Sequence, residues 1–139
     1  MGQEFQLLEH TSDIGILARG DNREEALIAA SQALSSILVD PLPFRAVEER
    51  YFKASGPDEP TQIINWLNEI LFFFDTESMV FVDFAIESWT QDEITGRAKG
   101  ERFNSDRHEF RTAVKAATYH QFESHEIHGA WEIKVFVDV

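Results

Sequence analysis

The sequence predicts an α+β fold, in which a single domain over residues 1–139 forms a two-layer sandwich of a mainly antiparallel sheet with helices packed on one face. Strand patterns occur in pairs joined by turns, and helical patterns lie between them. The spacing of strands and helices is too irregular for a doubly wound parallel sheet, and the sequence has no glycine-rich phosphate-binding loop.

The first third of the chain predicts two strands, a helix and a third strand. The first two strands cover residues 5–10 and 14–19, and the connection between them is polar and rich in hydroxyl groups. A helix capped by Asp21 or Asn22 follows, with apolar residues at helical spacing, and a proline-rich stretch ends it. We expect a more exposed strand over residues 47–54.

A second helix begins after Asp58, which is placed to cap it. Its apolar residues form a stripe at 3.6-residue spacing, but Trp66, Phe72 and Phe73 lie off that stripe. A helix that is apolar on more than one side is either buried on two sides or carries an interaction surface. We favour burial under a neighbouring element.

A hairpin follows, with a cleanly alternating strand over residues 79–89 and a return strand over 94–103. In the return strand Gly96, Ala98 and Gly100 share one face, which leaves room for a helix or a bulky neighbour.

The last part of the chain predicts a short helix and a closing hairpin. The helix lies within residues 106–119, and the hairpin joins strands over 121–127 and 130–137. The helical residues expected to point inward are Phe110, Val114 and Ala117.

The composition limits the classes of function. With 25 acidic and 12 basic residues, the net charge is −13, so a direct, sequence-independent grip on nucleic acid is not expected. The absence of cysteine excludes disulfides, thiolate zinc sites and a thiol nucleophile. The N-terminus lacks signal-peptide features, and no apolar run reaches the roughly 18 residues that cross a bilayer. We therefore expect a soluble cytoplasmic protein without a membrane partner.

Three carboxylates are expected to converge at one end of the sheet. Asp13 lies between the first two strands, and Asp138 and Val139, with its α-carboxylate, follow the last apolar run. If the last strand lies beside the first strands, these oxygen donors suit a hard cation such as Ca²⁺ or Mg²⁺. The alternative is that the aspartates are turn or cap residues and that the terminus is solvated.

Other candidate chemistry is weaker. The five histidines show no helical spacing typical of a zinc site, and no nucleophile elbow surrounds a serine. A phosphoester hydrolase built on His10, Ser12 or His120 stays open as an alternative. Lys115 stands out only as the single lysine of its segment, residues 114–120, in a strongly acidic chain, and most such lysines are exposed helical residues.

Several segments, in order along the whole chain, resemble the signatures of the archease family. Together they are far more specific than any one of them, and the length of the chain also matches. The segments are Glu9-His10-Thr11-Ser12-Asp13-Ile14-Gly15, Trp66-Leu67-Asn68-Glu69, Gly100-Glu101 ahead of His108, Val114-Lys115-Ala116-Ala117-Thr118-Tyr119-His120, and Val137-Asp138-Val139.

The resemblance implies an accessory role for the tRNA-splicing RNA ligase, which joins exon ends with GTP and divalent metal. Such a protein promotes formation of the ligase–GMP intermediate and allows multiple turnover, but it does not seal RNA itself. The resemblance also implies that Asp13, Asp138 and Val139 bind a divalent metal, with Ca²⁺ expected first and Mg²⁺ or Mn²⁺ as alternatives.

Four further residues are expected to face the ligase or its nucleotide: His10, Lys115, Tyr119 and His120. A second role suggested for the family is that of a chaperone or specificity modulator of RNA-modifying enzymes. That role would use the aromatic residues around Trp66, Phe72 and Phe73 as its binding face.

Overall fold

The computed structural model of the chain describes residues 2–9 and 12–139, with the backbone alone at Glu9. It contains seven strands and two helices over these residues. In chain order they are β1 (Glu4–Glu9), β2 (Asp13–Gly20), α1 (Arg23–Leu38), β3 (Glu48–Ser55), α2 (Glu59–Glu77), β4 (Met79–Trp89), β5 (Glu93–Arg102), β6 (Ala116–Ile127) and β7 (Ala130–Asp138).

The strands form two antiparallel sheets, a four-stranded sheet in the order β1-β2-β7-β6 and a three-stranded sheet in the order β3-β5-β4. Both helices contact strands of both sheets. The predicted α+β sandwich with antiparallel strands is confirmed, and the structure adds that the strands divide between two sheets. No helix in the described part of the chain is both long and apolar enough to span a membrane.

Helix α1 lies close to its neighbours because six of its ten buried residues are alanine or serine. The side chain of Asn22 caps the helix by accepting a hydrogen bond from the amide of Glu25 at 2.9 Å. Two buried serines satisfy polar partners in the core: Ser35 donates to the carbonyl of Phe81, and Ser31 accepts from the indole N–H of Trp66 at 2.9 Å. The first helix is therefore tied to both β4 and α2.

Helix α2 begins at the predicted cap, where Asp58 accepts a hydrogen bond from the amide of Thr61 at 2.8 Å. Trp66 is fully buried, and its ring lies 5.0 Å from that of Phe52 in β3. Phe73 is half-buried against the same phenylalanine, whereas Phe72 is 53% exposed. The preference for burial is thus confirmed for Trp66 and Phe73, and they form no binding face.

The hairpin of β4 and β5 matches the prediction, including the room left by its glycines. A Cβ atom at Gly96 would lie 2.9 Å from Cη2 of Trp66 and 2.2 Å from the carbonyl oxygen of Ala85. The glycine therefore lets α2 lie close to the three-stranded sheet through its tryptophan.

The helix predicted within residues 106–119 is wrong. Residues 103–115 are mostly irregular, and their backbone bonds to the end of α1, since the amide of Arg111 donates to the carbonyl of Leu38 at 2.8 Å. Strand β6 already begins at Ala116. Val114 and Ala117 are buried as predicted, but Phe110 is 46% exposed. The apolar spacing satisfied a helical pattern by coincidence, and pairing with β7 and with the end of α1 decided the outcome.

Candidate functional site

The two aspartates of the candidate site lie on neighbouring central strands of the four-stranded sheet. Asp13 begins β2, Asp138 ends β7, and their Cα atoms are direct partners in the antiparallel register. Direct partners project their side chains to the same face, with Cβ atoms about 4.5–5.5 Å apart. Both residues are half-buried. Two residues 125 positions apart in the chain are therefore brought to one point, since the sheet pairs its second and last strands.

Val139 lies next to Ser12, the residue before Asp13. Its amide donates to the carbonyl of Ser12 at 3.5 Å, and its side chain packs against the core. The sheet thus brings together the three residues that the sequence singled out as metal ligands. Their binding of a metal stays a prediction.

Two carboxylates directly opposite each other on neighbouring strands repel, which costs stability unless a cation or hydrogen-bond donors compensate. Among residues 2–9 and 12–139, no three His, Asp or Glu side chains cluster closely enough to hold a metal ion. The α-carboxylate of Val139, the residue after Asp138, would add further oxygen donors beside the pair.

Lys115 lies next to the aspartate pair through its backbone. Its amide donates to the carbonyl of Asp138 at 2.8 Å, and the next residue, Ala116, is the register partner of Asp138 in β6. Lys115 itself is exposed. The structure therefore places this cation at the edge of the carboxylate site.

Tyr119 and His120 lie in a wide bulge of β6. The register with β7 shifts between Thr118 and Glu123, and Gln121 within the bulge has a left-handed φ of 52°. Tyr119 is 56% exposed. The ring of His120 stands edge-on to that of Phe136, with centroids 6.0 Å apart.

Phe136 of β7 contacts both this bulge, through His120, and Gly15 near the start of β2. It is the register partner of Gly15, where a Cβ atom would lie 2.9 Å from Cε2 of the phenylalanine ring and 2.9 Å from Cβ of Leu8. The glycine in the opening motif is required because this ring covers it. His10, which the sequence also assigned to the site, lies outside the described residues.

Asn68 of α2 is a residue whose role sequence reasoning missed. Its side-chain oxygen accepts a hydrogen bond from the amide of Ala117 at 2.8 Å, which fixes the start of β6 two residues after Lys115. Its only signal in the sequence was its place in a family signature.

A second missed group surrounds Glu101, which the sequence singled out only as part of a family signature. This buried carboxylate accepts hydrogen bonds from Arg107 at 2.7 Å and from the amide of Arg45 at 3.0 Å. Burial acts to raise the pKa of Glu101, but these hydrogen bonds and the positive charge of Arg107 outweigh it and hold the pKa below its ordinary value.

His108 completes this group. Its Nδ1 accepts a hydrogen bond from the amide of Asn104 at 2.9 Å, and its ring stacks on Phe44 with centroids 3.7 Å apart. Nε2 lies 2.9 Å from Oε1 of Glu101, but the contact is poorly aligned for a hydrogen bond. The group anchors the irregular segment that leads from β5 to Lys115.

Comparison with known proteins gives a consistent result. The model of the Archease protein family (MTH1598/TM1083) matches residues 5–139. The chain is 33% identical over 142 residues to the protein archease of Methanosarcina mazei, covering 99% of this chain and 97% of the relative. It is 36% identical over 136 residues to that of Sulfurisphaera tokodaii, covering 97% of each.

Two solved structures share the fold. The solution structure of Methanobacterium thermoautotrophicum protein 1598 superimposes with a TM-score of 0.80 at 29% identity, covering 97% of this chain and 98% of the other. The crystal structure of an archease from Thermotoga maritima, described as a possible chaperone, gives a TM-score of 0.67 at 19% identity and covers 96% of each chain. The chain belongs to the archease family.

Proposed function

We propose that this chain is an accessory protein of the tRNA-splicing RNA ligase, which it activates by promoting the ligase–GMP intermediate and multiple turnover. The observation that carries the proposal is the direct register pairing of Asp13 with Asp138, next to Val139. This arrangement presents clustered negative charge at one end of a sheet. An RNA ligase, which must bind polyanionic substrates, offers the positive surface that such charge attracts.

The donor set fits a divalent metal. Asp13, Asp138 and the α-carboxylate of Val139 offer only oxygen atoms, which hard cations such as Ca²⁺, Mg²⁺ or Mn²⁺ prefer. We expect Ca²⁺ first, because it tolerates irregular oxygen coordination better than Mg²⁺. When bound, the ion would supply a positive charge able to hold nucleotide phosphate oxygens.

The residues around the aspartates position Asp138 or contact the ligase and its nucleotide. The backbone amide of Lys115 holds Asp138 in place by donating to its carbonyl, and the exposed side chain of Lys115 is available to contact the ligase or its nucleotide. Tyr119 and His120 are exposed in the β6 bulge, where they meet the ligase or its GTP, and His10 precedes the first aspartate. GTP reaches this surface through the ligase, and the net charge of −13 disfavours a direct grip on RNA. The chain itself performs no ligation.

The test is single-turnover guanylylation of the ligase, with the chain added in stoichiometric amounts. We expect Asp13→Ala, Asp138→Ala and a chain that lacks Val139 each to lose most of the stimulation. Asp92→Ala, in the exposed β4–β5 turn, serves as the matched control and should stimulate like the wild type. Unimpaired stimulation by all three site variants would contradict the proposal.

A second candidate function is that of a chaperone or specificity modulator of RNA-modifying enzymes. The observation that favours it is the exposure of Phe72 at 53% and of Phe110 at 46%. If this role is correct, Phe72→Ser and Phe110→Ser abolish stimulation of the partner enzyme while the aspartate variants keep it. The reverse outcome supports the carboxylate site instead.

The third candidate is a metal-dependent phosphoester hydrolase. It requires turnover of a phosphoester by the isolated chain with Ca²⁺, Mg²⁺ or Mn²⁺. The absence of turnover with all three ions would remove this candidate.

A further inference from the structure

Four strands form the edges of the two sheets: β1 and β6 in one, and β3 and β4 in the other. An edge strand presents unpaired backbone N–H and C=O groups that can pair with another chain, so proteins usually blunt such edges with bulges or charges. In β4 the register with β5 shifts twice, and in β6 a wide bulge interrupts pairing with β7. Strand β3 carries charges at four of its eight positions.

Strand β1 has no register shift, and its only charged residues, Glu4 and Glu9, stand at its two ends. All six of its residues pair with β2 without a register shift, and its sequence, Glu-Phe-Gln-Leu-Leu-Glu, contains no lysine and no proline. Its outer backbone edge is a regular template for a further strand.

Two apolar side chains of β1 lie half-exposed on the side of the sheet that faces the core. Phe5 and Leu7 are the register partners of Ala18 and Ile16, which are both fully buried. Phe5 is nevertheless 41% exposed and Leu7 42% exposed. Because direct partners share a face, these two side chains belong to the inner layer and lack a neighbour only on the side of the open edge.

Phe5 borders an open groove of about 210 Å³ between the two sheets. Residues of α1, including Gln32 and Ser36, line it, and Phe81 and Val82 of β4 lie on the opposite side. The groove therefore leaves space beside Phe5 for the side chains of a further strand at the edge of β1.

The charge around the groove indicates what kind of partner fits it. Among the described residues no charged side chain lines the groove itself, but Glu4 is next to Phe5 in the chain and Asp40 is next to Pro41. Arginines partly offset them: Arg19 lies 3.5 Å from Glu4 in an exposed pair, and Arg111 lies 3.9 Å from Asp40 and donates to the carbonyl of Ser36. With a net charge of −13 over the whole chain, the surface favours a cationic partner.

A second copy of the chain fits this edge poorly. If two copies paired their β1 strands antiparallel about the centre of the strand, Glu4 of each copy would lie opposite Glu9 of the other. Like charges directly opposite each other on paired strands are destabilising, and both copies carry the same large negative charge.

We propose that β1 is a docking edge for an extended segment of a cationic partner protein, which adds to the four-stranded sheet as a fifth strand. Apolar residues of that segment lie beside Phe5 and Leu7, and a lysine or arginine lies across from Glu4. Glu9, the last residue of β1, is the register partner of Ile14, which follows Asp13, so the added strand extends towards the carboxylate site. The proposal rests on the proposed function only in naming the RNA ligase as the source of the segment.

The edge itself is tested by NMR titration of the isotope-labelled chain with two synthetic octapeptides, one alternating Lys and Val and one alternating Glu and Val. We expect shifts concentrated in β1 with the Lys–Val peptide and none with the Glu–Val peptide. Leu7→Lys should weaken binding of the Lys–Val peptide by about tenfold, because it places a like charge at the edge. Ile127→Lys is the matched control, since Ile127 is 37% exposed on the other edge strand of the same sheet.

Glu4→Lys provides a second variant that leaves the apolar contacts in place, and it should shift preference from the Lys–Val to the Glu–Val peptide. Shifts outside β1, equal response to both peptides, or equal affinity of Leu7→Lys and Ile127→Lys would overturn the proposal. A concentration-dependent dimer in sedimentation that Leu7→Lys abolishes would overturn it in favour of self-pairing.

A second arm uses the ligase as the probe and separates docking from activation. We expect Leu7→Lys to weaken binding to the ligase by about tenfold, whereas Asp138→Ala still binds but fails to stimulate guanylylation. If the wild type binds the Lys–Val peptide at β1 but does not stimulate the ligase, the proposed function fails and the docking edge stands. If it stimulates the ligase and Leu7→Lys binds as tightly, the docking edge fails.

Discussion

Carboxylates occur in two contrasting environments at the scale of single residues. Glu101 is buried and accepts hydrogen bonds from the side chain of Arg107 and the amide of Arg45. Asp13 and Asp138 are half-buried and face one another across paired strands. The first arrangement compensates the buried charge with hydrogen-bond donors, whereas we propose that the second binds a cation.

The environment of Glu101 makes its contribution to stability depend on pH. Its pKa is lower in the folded chain than in the unfolded chain, so the stabilisation is present above the unfolded pKa and is lost as pH falls through the folded pKa. We predict that Glu101→Gln lowers the free energy of unfolding at pH 7 by about 2 kcal/mol, the scale of hydrogen bonds to a charged group.

Urea unfolding at pH 7 and in steps below about pH 4, the ordinary range for glutamate, checks this prediction. The difference between wild type and variant should shrink as the pH falls, because Glu101 then becomes protonated in the wild type. The exposed Glu126→Gln serves as the control. A difference that is absent at pH 7, or that grows in acid, would contradict the account.

Asp13 could be expected near Asp138 because apolar and polar residues alternate at both ends of the chain, which predicts strands there. If those two strands are neighbours in the sheet, their ends meet. Sequence reasoning did not foresee the group around Glu101. His108 and Arg107 reach that carboxylate through an irregular segment, and irregular backbone leaves no periodic pattern in a sequence.

The connection between α2 and β6 matters most at the scale of the elements. Asn68 accepts a hydrogen bond from the amide of Ala117, a residue that is only 5% exposed. Without that acceptor the amide would lie buried and unpaired near the start of β6, the strand that follows Lys115.

We predict that Asn68→Ala lowers the free energy of unfolding by about 1–3 kcal/mol, the cost of a buried donor left without a partner. Asn65→Ala on the same helix is the matched control, since Asn65 makes a similar bond to the carbonyl of Ser55 at an exposed position. Chemical denaturation of both variants decides the matter. Equal losses for the two variants would mean that Asn68 makes only an ordinary surface bond.

Helices α1 and α2 and the hairpin of β4 and β5 could be predicted because the apolar residues of each recur at a regular spacing and turn or cap residues mark its ends. The segment from residue 106 to 119 could not, because Val114 and Ala117 suit a helix and a strand equally. Pairing with β7 and with the end of α1 decided between them, and such distant partners are invisible to a local pattern.

The division of the strands between two sheets belongs to the scale of the whole molecule. Alternation shows which residues of a strand face inward but not which strands share a sheet, so the separate three-stranded sheet could not be read from the sequence. The same assembly brings the second and last strands together, places the carboxylate pair at their shared end, and leaves β1 as an open edge. Site and edge both follow from one strand order.

Calorimetric titration of the chain with Ca²⁺, Mg²⁺ and Mn²⁺ tests the central claim most directly. The account predicts that the wild type and Asp92→Asn bind a single divalent ion per chain. Asp13→Asn and Asp138→Asn, which keep the shape of the side chains but remove the charge, should lose saturable binding while remaining folded. Wild-type protein that binds none of the three ions, or aspartate variants that bind them as tightly as the wild type, would contradict it.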